Sequence, residues 1–251
     1  MGELDGKVAI VTGGGQGVGQ GISLALAAQG ARVAVTGRTV KKCEKTRDMI
    51  KERGGDAMAV ECNVKSRESL ENCVSQVVEQ FGGIQILVNN AQEVPLFDLH
   101  TVTDESFEAG WQSGPLATFR MMKLCYPYLK GDGCIINLGS SAAKRWDMSN
   151  YGCYAAVKEG IRMLTRGAAC EWGKDGIRTN VILPHAKSPG LMWWIENNAE
   201  EAEAFIATIP LKRVGELEED IGRFVALLCT DGARYVNGQS IGLDGGQAYL
   251  G

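Results

Sequence analysis

Tyr154 and Lys158 stand four positions apart in Tyr154-Ala-Ala-Val-Lys158, within a run from Tyr151 to Trp172 whose apolar residues recur at helical spacing. One turn of helix brings a phenol and an ammonium onto the same face. A phenol with a pKa of about 10 is a poor base at neutral pH, but a neighbouring positive charge stabilises its anion and makes it a usable proton donor and acceptor. A second chemical feature lies near the start of the chain. The apolar run Val8 to Thr12 passes into Thr12-Gly13-Gly14-Gly15-Gln16-Gly17-Val18-Gly19 and then a helical stretch to Gln29. Glycines permit positive φ, let backbone N–H groups approach a pyrophosphate, and set that anion at a helix N-terminus.

The end of the second strand addresses which dinucleotide fits. Val33-Ala-Val-Thr-Gly37-Arg38-Thr39 lacks the acidic residue that would hydrogen-bond both hydroxyls of an NAD ribose. Arg38 instead offers a planar, permanently charged fork for a 2′-phosphate, with the Thr39 hydroxyl beside it, so NADP(H) is favoured over NAD(H). The competing reading has Arg38 stacked on the adenine without discriminating between the two.

The spacing Gly-x-x-x-Gly-x-Gly, together with Tyr154-x-x-x-Lys158, resembles the short-chain dehydrogenase/reductase family. The resemblance spans the chain through Asn89-Asn90-Ala91, Ser140, Ile177-Arg178-Thr179-Asn180 before Pro184, and Leu243-Asp244-Gly245-Gly246. It implies that Tyr154 is the general acid/base, that Lys158 holds the nicotinamide ribose, and that a serine hydroxyl binds the substrate oxygen. Hydride would pass between the nicotinamide and a carbinol or carbonyl carbon. Ser140 fits the family's distance from the fifth strand, but its separation from Tyr154 is one residue long, which keeps Ser141 open.

The implied cofactor contacts begin with Gly13, Gly15, Gln16, Gly17, Val18 and Gly19. Arg38 and Thr39 follow, then Asn63 and Val64, at the place where the family has Asp-Val against adenine. Asn90, Ala91, Tyr154, Lys158 and Pro184 complete the set.

Three positions depart from the family pattern. Gly114 stands where the family carries an Asn that bends a helix and anchors a proton-relay water; Gly114-Pro115 is expected to keep the kink, but the amide is lost. Gln92 follows Asn89-Asn90-Ala91 and His185 follows Pro184, each in place of a Gly. Both flank the expected nicotinamide site and can project a polar group into it.

The elements that must position these groups alternate regularly. Short apolar runs (Val8–Thr12, Val33–Thr36, Ala57–Glu61, Ile84–Asn89, Cys134–Leu138, Ile177–Leu183) are interleaved with helical patterns (Gly17–Gln29, Val40–Arg53, Ser66–Phe81, Asp104–Leu129, Tyr151–Trp172). Such alternation predicts an α/β fold, a doubly wound parallel sheet of Rossmann type with helices on both faces, in one domain spanning 1–251. Residues 184–213 interrupt the pattern and read as a substrate-loop insertion, a lid over a ligand. Trp146, Met148, Leu191, Met192, Trp193 and Trp194 would then surround the open end of the cleft. With Ser141 and His185 as further substrate contacts, they suggest a bulky apolar alcohol or ketone, steroid-like or otherwise cyclic.

Composition bounds the remainder. The 251 residues carry a net charge of −4 with scattered basic residues, which gives no support to a nucleic-acid surface. The partner is expected to be a small molecule, with no nucleic acid and no membrane. Eight cysteines show no Cys-x-x-Cys pair, and with two histidines they argue against a metal site and suit a cytoplasmic, reducing compartment. The helical patterns Asp104–Leu129 and Tyr151–Trp172 are apolar on more than one face, and the resemblance implies that they pair across a two-fold axis, in a homotetramer first and a homodimer next. A sensor or structural subunit that keeps the nucleotide site with feeble catalysis is the alternative, and the intact Ser, Tyr and Lys argue against it. A Rossmann methyltransferase would have no use for Tyr154 and Lys158.

Overall fold

The computed structural model describes residues 2–144 and 150–248; the expected substrate residues Trp146 and Met148 lie outside the described residues. Seven parallel strands form one sheet in the order β3-β2-β1-β4-β5-β6-β7. They are β1 (Val8–Thr12), β2 (Arg32–Gly37), β3 (Ala57–Glu61), β4 (Ile86–Asn89), β5 (Gly133–Leu138), β6 (Ile177–Pro184) and β7 (Ser240–Leu243). Strands β1, β4 and β5 are buried along their whole length, the expected result when helices cover both faces.

One apolar layer packs α1 (Gly17–Ala28) and α9 (Arg223–Leu228) against the sheet through Ile22, Leu26 and Val225. The opposite layer uses α3 (Arg67–Phe81) and α5 (Ala117–Leu129), with Leu70, Val77 and Met121. Helix α2 (Val40–Glu52) follows β2. Strand order reverses between β1 and β4, so the loops after these two strands diverge and leave a crevice at their carboxyl ends.

The stretch expected as one helix over Asp104–Leu129 is divided. Helix α4 (Asp104–Trp111) passes into a π-turn, Gln112–Leu116, before α5 begins. Pro115 within the turn has no N–H to donate and cannot hold a regular helical register, so the expected kink takes this wider form. Strand β7 carries no strand signal in the sequence, because it is four residues long and its Ser240 and Gly242 lack strand character.

Helix α6 (Gly152–Trp172) carries Tyr154 and Lys158, and buried polar groups fix its rotation. Asn89 Nδ2 donates to Asn137 Oδ1 at 2.8 Å, and Asn137 Nδ2 donates to Thr165 Oγ1 at 2.9 Å. Thr165 lies on the same helical stripe as Tyr154, Lys158 and Ile161. The polar ladder from β4 through β5 to α6 therefore turns that stripe toward the sheet.

Residues 184–213 form two short helices, α7 (Pro189–Asn197) and α8 (Ala199–Thr208). Ser188 caps α7, its hydroxyl accepting from Leu191 N–H at 3.3 Å, and Pro189 occupies the first turn, where its missing N–H costs little. Buried Ala202 and Ile209 hold this pair of helices to the body of the protein.

Candidate active site

At the crevice, Gly13 and Gly17 adopt positive φ (65° and 56°), a conformation side chains resist. The N-terminus of α1 has no side-chain cap and no acidic residue in its first turn, leaving its N–H groups for an anion. Gln16 turns aside and accepts a hydrogen bond from Lys42 Nζ. Asn90 stitches the loops together: its Nδ2 donates to Thr12 O (2.8 Å) and Gly13 O (3.2 Å), while Thr12 Oγ1 accepts from Asn90 N–H and Ala91 N–H. The backbone conformation and the open helix end fit a dinucleotide pyrophosphate.

A cleft of about 1260 Å³ runs from this loop to α7 and α8. Gly13, Gly15, Gln16, Gly17 and Val18 line its near end, with Arg38, Thr39, Asn63 and Val64 beside them. Asn90, Ala91 and Pro184 line its middle. Gly19 does not reach it: a Cβ there would lie 2.4 Å from Gly13 O, so this glycine permits the loop to pack on the helix. Arg38 is not a free fork either. Its Nη1 lies 2.7 Å from Glu93 Oε1, and Lys65 Nζ lies 3.0 Å from the same oxygen. Glu93 and Lys65 were not anticipated, because only the converging ends of β2, β3 and β4 bring three sequence-distant charges together.

Farther along the cleft the structure brings Ser140, Tyr154 and Lys158 into one group. Lys158 is buried, its Nζ donating to Leu138 O at 2.8 Å and sitting 5.5 Å from the centre of the Tyr154 ring. Burial holds its pKa down to about 7, because the interior disfavours the ammonium. The Tyr154 hydroxyl is pushed up to about 12, chiefly by burial; a hydrogen bond with Ser140 pulls it down and the Tyr151 phenol adds a small upward push.

The expected lowering of Tyr154 is thus not produced by the protein alone, since a lysine that is only partly charged at neutrality stabilises a phenolate weakly. The Tyr154 ring is partly open to the cleft, so solvent moderates the upward push. Ser140, whose Oγ accepts from Ala142 N–H at 3.2 Å, is the serine paired with Tyr154. Ser141 lies along the same wall but is buried at the start of a 3₁₀ turn.

The far wall is aromatic. Phe205 of α8 makes edge contacts with His185 (5.4 Å) and Trp194 (5.7 Å), so the segment after β6 and both short helices meet around one ring. His185 and Trp193 line the cleft as expected, with Leu191 and Trp194. Met192 does not line it; it falls on the neighbouring stripe of α7 with Ile195. Phe205 and Tyr151 had no sequence signal, because their approach is decided by how α8 and α6 pack. Among the described residues no cluster of His, Cys, Asp or Glu could hold a metal ion, and no helix is long and apolar enough to cross a membrane.

A crevice that fits a dinucleotide, joined to a Ser-Tyr-Lys group, is the arrangement of one class of protein, the nicotinamide-dependent dehydrogenases, and comparison with known proteins agrees with that class. The family model described as Enoyl-(Acyl carrier protein) reductase matches residues 13–248. A 12alpha-hydroxysteroid dehydrogenase from a Clostridium species is 38% identical over 255 residues, covering 98% of each chain. The structure of a 7 alpha-hydroxysteroid dehydrogenase with NADH and 7-oxo glycochenodeoxycholic acid superposes with a TM-score of 0.91 at 29% identity, covering 99% of this chain and 97% of that one. A Burkholderia cenocepacia short chain dehydrogenase bound to NADP gives 0.89 at 29% identity, covering 98% and 99%.

The chain belongs to the short-chain dehydrogenase/reductase family. It is an oxidoreductase of the alcohol dehydrogenase and reductase kind, acting with NAD(P).

The buried Lys158 predicts a pH signature. Its folded pKa of about 7 lies below the 10.5 of a lysine in water. Between those values the unfolded chain binds more protons, so this group makes stability rise with pH, and its cost is greatest below 7. Lys158→Met therefore stabilises the protein more at pH 6 than at pH 9, by roughly 3 kcal/mol of difference. Urea unfolding at both pH values measures it, and an equal effect at the two would refute the burial argument.

Proposed function

We propose that this protein transfers hydride between NADP(H) and a secondary alcohol or ketone of bulky, apolar, cyclic form, steroid-like in size. The observation that carries this reading is the Ser140–Tyr154–Lys158 group facing an aromatic wall of Trp193, Trp194 and Phe205 across one cleft. A fused-ring substrate finds flat apolar surface there, and its single oxygen finds two hydroxyls. The names of the two hydroxysteroid dehydrogenases support the same class.

A nicotinamide held by Lys158 and the glycine turn would supply the hydride and, when oxidised, a positive charge. The protein supplies proton chemistry and orientation. Tyr154, held protonated by burial, donates to the carbonyl oxygen during reduction while the Ser140 hydroxyl hydrogen-bonds the same oxygen. Lys158, anchored on Leu138 O, holds the ribose and biases the phenol toward its anion when charged. His185 and Ser141 border the substrate side. Helices α7 and α8, carrying Trp193 and Trp194, act as the lid.

Preference for NADP(H) rests on Arg38 and Lys65. Arg38 and Lys65, which Glu93 holds together, would serve as the cations for a 2′-phosphate, and the planar fork of Arg38 suits such an anion. Eight free cysteines suit a cytoplasmic setting. Phe107, Trp111, Phe119 and Met163 on α4, α5 and α6 are 37–50% exposed, apolar surface that supports a homotetramer or homodimer.

Three outcomes are expected. Tyr154→Phe keeps NADPH binding, followed by fluorescence, while turnover of a steroid ketone falls at least about a hundredfold; undiminished turnover refutes the assignment. Arg38→Asp weakens NADPH relative to NADH by about tenfold to a hundredfold, the worth of one charged hydrogen bond, and Glu93→Gln shifts the ratio the other way. Unchanged ratios in fluorescence titrations remove the phosphate argument. Sedimentation of the purified protein gives a tetramer or dimer, and a monomer at micromolar concentration would contradict the interface reading.

A further inference from the structure

Gln92 lies on the loop after β4, between Ala91 and the Glu93 that binds Arg38. Both polar atoms of its side chain, Oε1 and Nε2, are buried and have no hydrogen-bond partner within the protein. An amide held so costs about 1–3 kcal/mol and calls for a reason. Its location supplies one. A Cβ built on Gly114 would stand 3.1 Å from Gln92 Nε2, 3.3 Å from Gln92 Cδ and 2.8 Å from Val157 Cγ1. The Gln92 amide and Val157 together fill the space that a side chain at position 114 would take.

The loop is clamped in that position. Ser113, in the π-turn, accepts from Glu93 N–H at 2.9 Å and donates to Ala109 O at 2.7 Å, while Asn90 is fixed on the glycine loop. Val157 is the chain neighbour of Lys158, and Gln92 lines the same cleft as Lys158 and Tyr154. Lys158 uses one of its three donors on Leu138 O.

We propose that the Gln92 carboxamide is a positioning residue for Tyr154 and Lys158, delivering from the β4 loop the amide hydrogen bonds that Gly114 cannot deliver from the helix. It acts through water: Oε1 accepts and Nε2 donates to molecules that hydrogen-bond onward to the Lys158 ammonium. Amide and glycine are thus a reciprocal pair, each permitting the other. The inference rests on the acid/base reading of Tyr154 and Lys158.

The groups around Lys158 leave room for such an effect to be seen. Glu159 is paired with Lys144 and Arg162, and Glu93 with Arg38 and Lys65. Tyr154 is the titratable group against Lys158, with Tyr151 behind it, and His185 borders the opposite wall of the cleft.

The test uses the full-length protein and the variant Gln92→Leu, similar in size but without hydrogen bonds. Lysines labelled with ¹³C at Cε are titrated by NMR, with Lys158→Met identifying the Lys158 signal; kcat against pH is measured with NADPH and a steroid ketone. Loss of the acceptor disfavours the ammonium, so the Lys158 midpoint falls below that of the wild type. The kcat falls by up to about a hundredfold, the cost of a misplaced catalytic group, with cofactor Kd unchanged. Gln92→Gly combined with Gly114→Asn returns the midpoint and kcat toward wild type.

A pure filler role predicts instead a higher Tm in Gln92→Leu with an unmoved Lys158 midpoint, and that result overturns the proposal. The NMR titration needs no turnover. If the wild type reduces no ketone, the reading of function falls while the titration still decides the role of Gln92.

Discussion

The burial of the Lys158 ammonium against Leu138 O organises this molecule more than any other single contact. A cation is admitted to an interior only where its donors are used and its surroundings are fixed, and the fold meets both conditions at the carboxyl end of β5. The ladder Asn89–Asn137–Thr165 sets the rotation of α6, that rotation aims Lys158 and Tyr154 at the end of the sheet, and the strand that ends at Leu138 continues to Ser140. Displacing the helix would take Lys158 from Leu138 O and separate the buried Asn137 amide from the Thr165 hydroxyl. Stability and the site therefore depend on the same few polar contacts.

The opposing pKa shifts of Tyr154 and Lys158 follow from that burial. Desolvation raises the acid and lowers the base, so near neutrality the protein by itself favours a protonated phenol beside a partly charged lysine. This arrangement suits proton donation as it stands; proton abstraction needs further positive charge near the phenol. At the other end of the cleft, Glu93 holds Arg38 and Lys65 together across the mouths of three strands. The two ends are linked through the loop after β4, which contributes Asn90 to the glycine turn, Gln92 to the space beside Gly114, and Glu93 to the cations.

Much of the fold was legible in the residues. Apolar runs of four to eight alternating with helical periods gave six of the seven strands, since a strand covered on both faces must be apolar throughout. The break at Gly114-Pro115 was legible because proline removes a donor, though its π form was not. Strand β7 escaped notice because it is short and weakly patterned, and it exists by pairing with β6. In the site, Tyr154, Lys158 and the glycine loop were legible because their spacing within one local element already sets their geometry. Met192 falls outside the cleft lining because one helical position, 100° of rotation, separates it from the lining residues on either side.

The sequence alone determined the α/β class, the glycine turn after β1, and the phenol–ammonium pair, all features set by residues within about one helical turn or one strand–helix junction. Tertiary structure decided what depends on convergence from distant segments. It paired Ser140 rather than Ser141 with Tyr154, because the turn after β5 buries the second hydroxyl. It set Glu93 between Arg38 and Lys65, and Phe205 between His185 and Trp194. It also placed Gln92 where Gly114 leaves room, a complementarity between two positions 22 apart in sequence that no local pattern encodes.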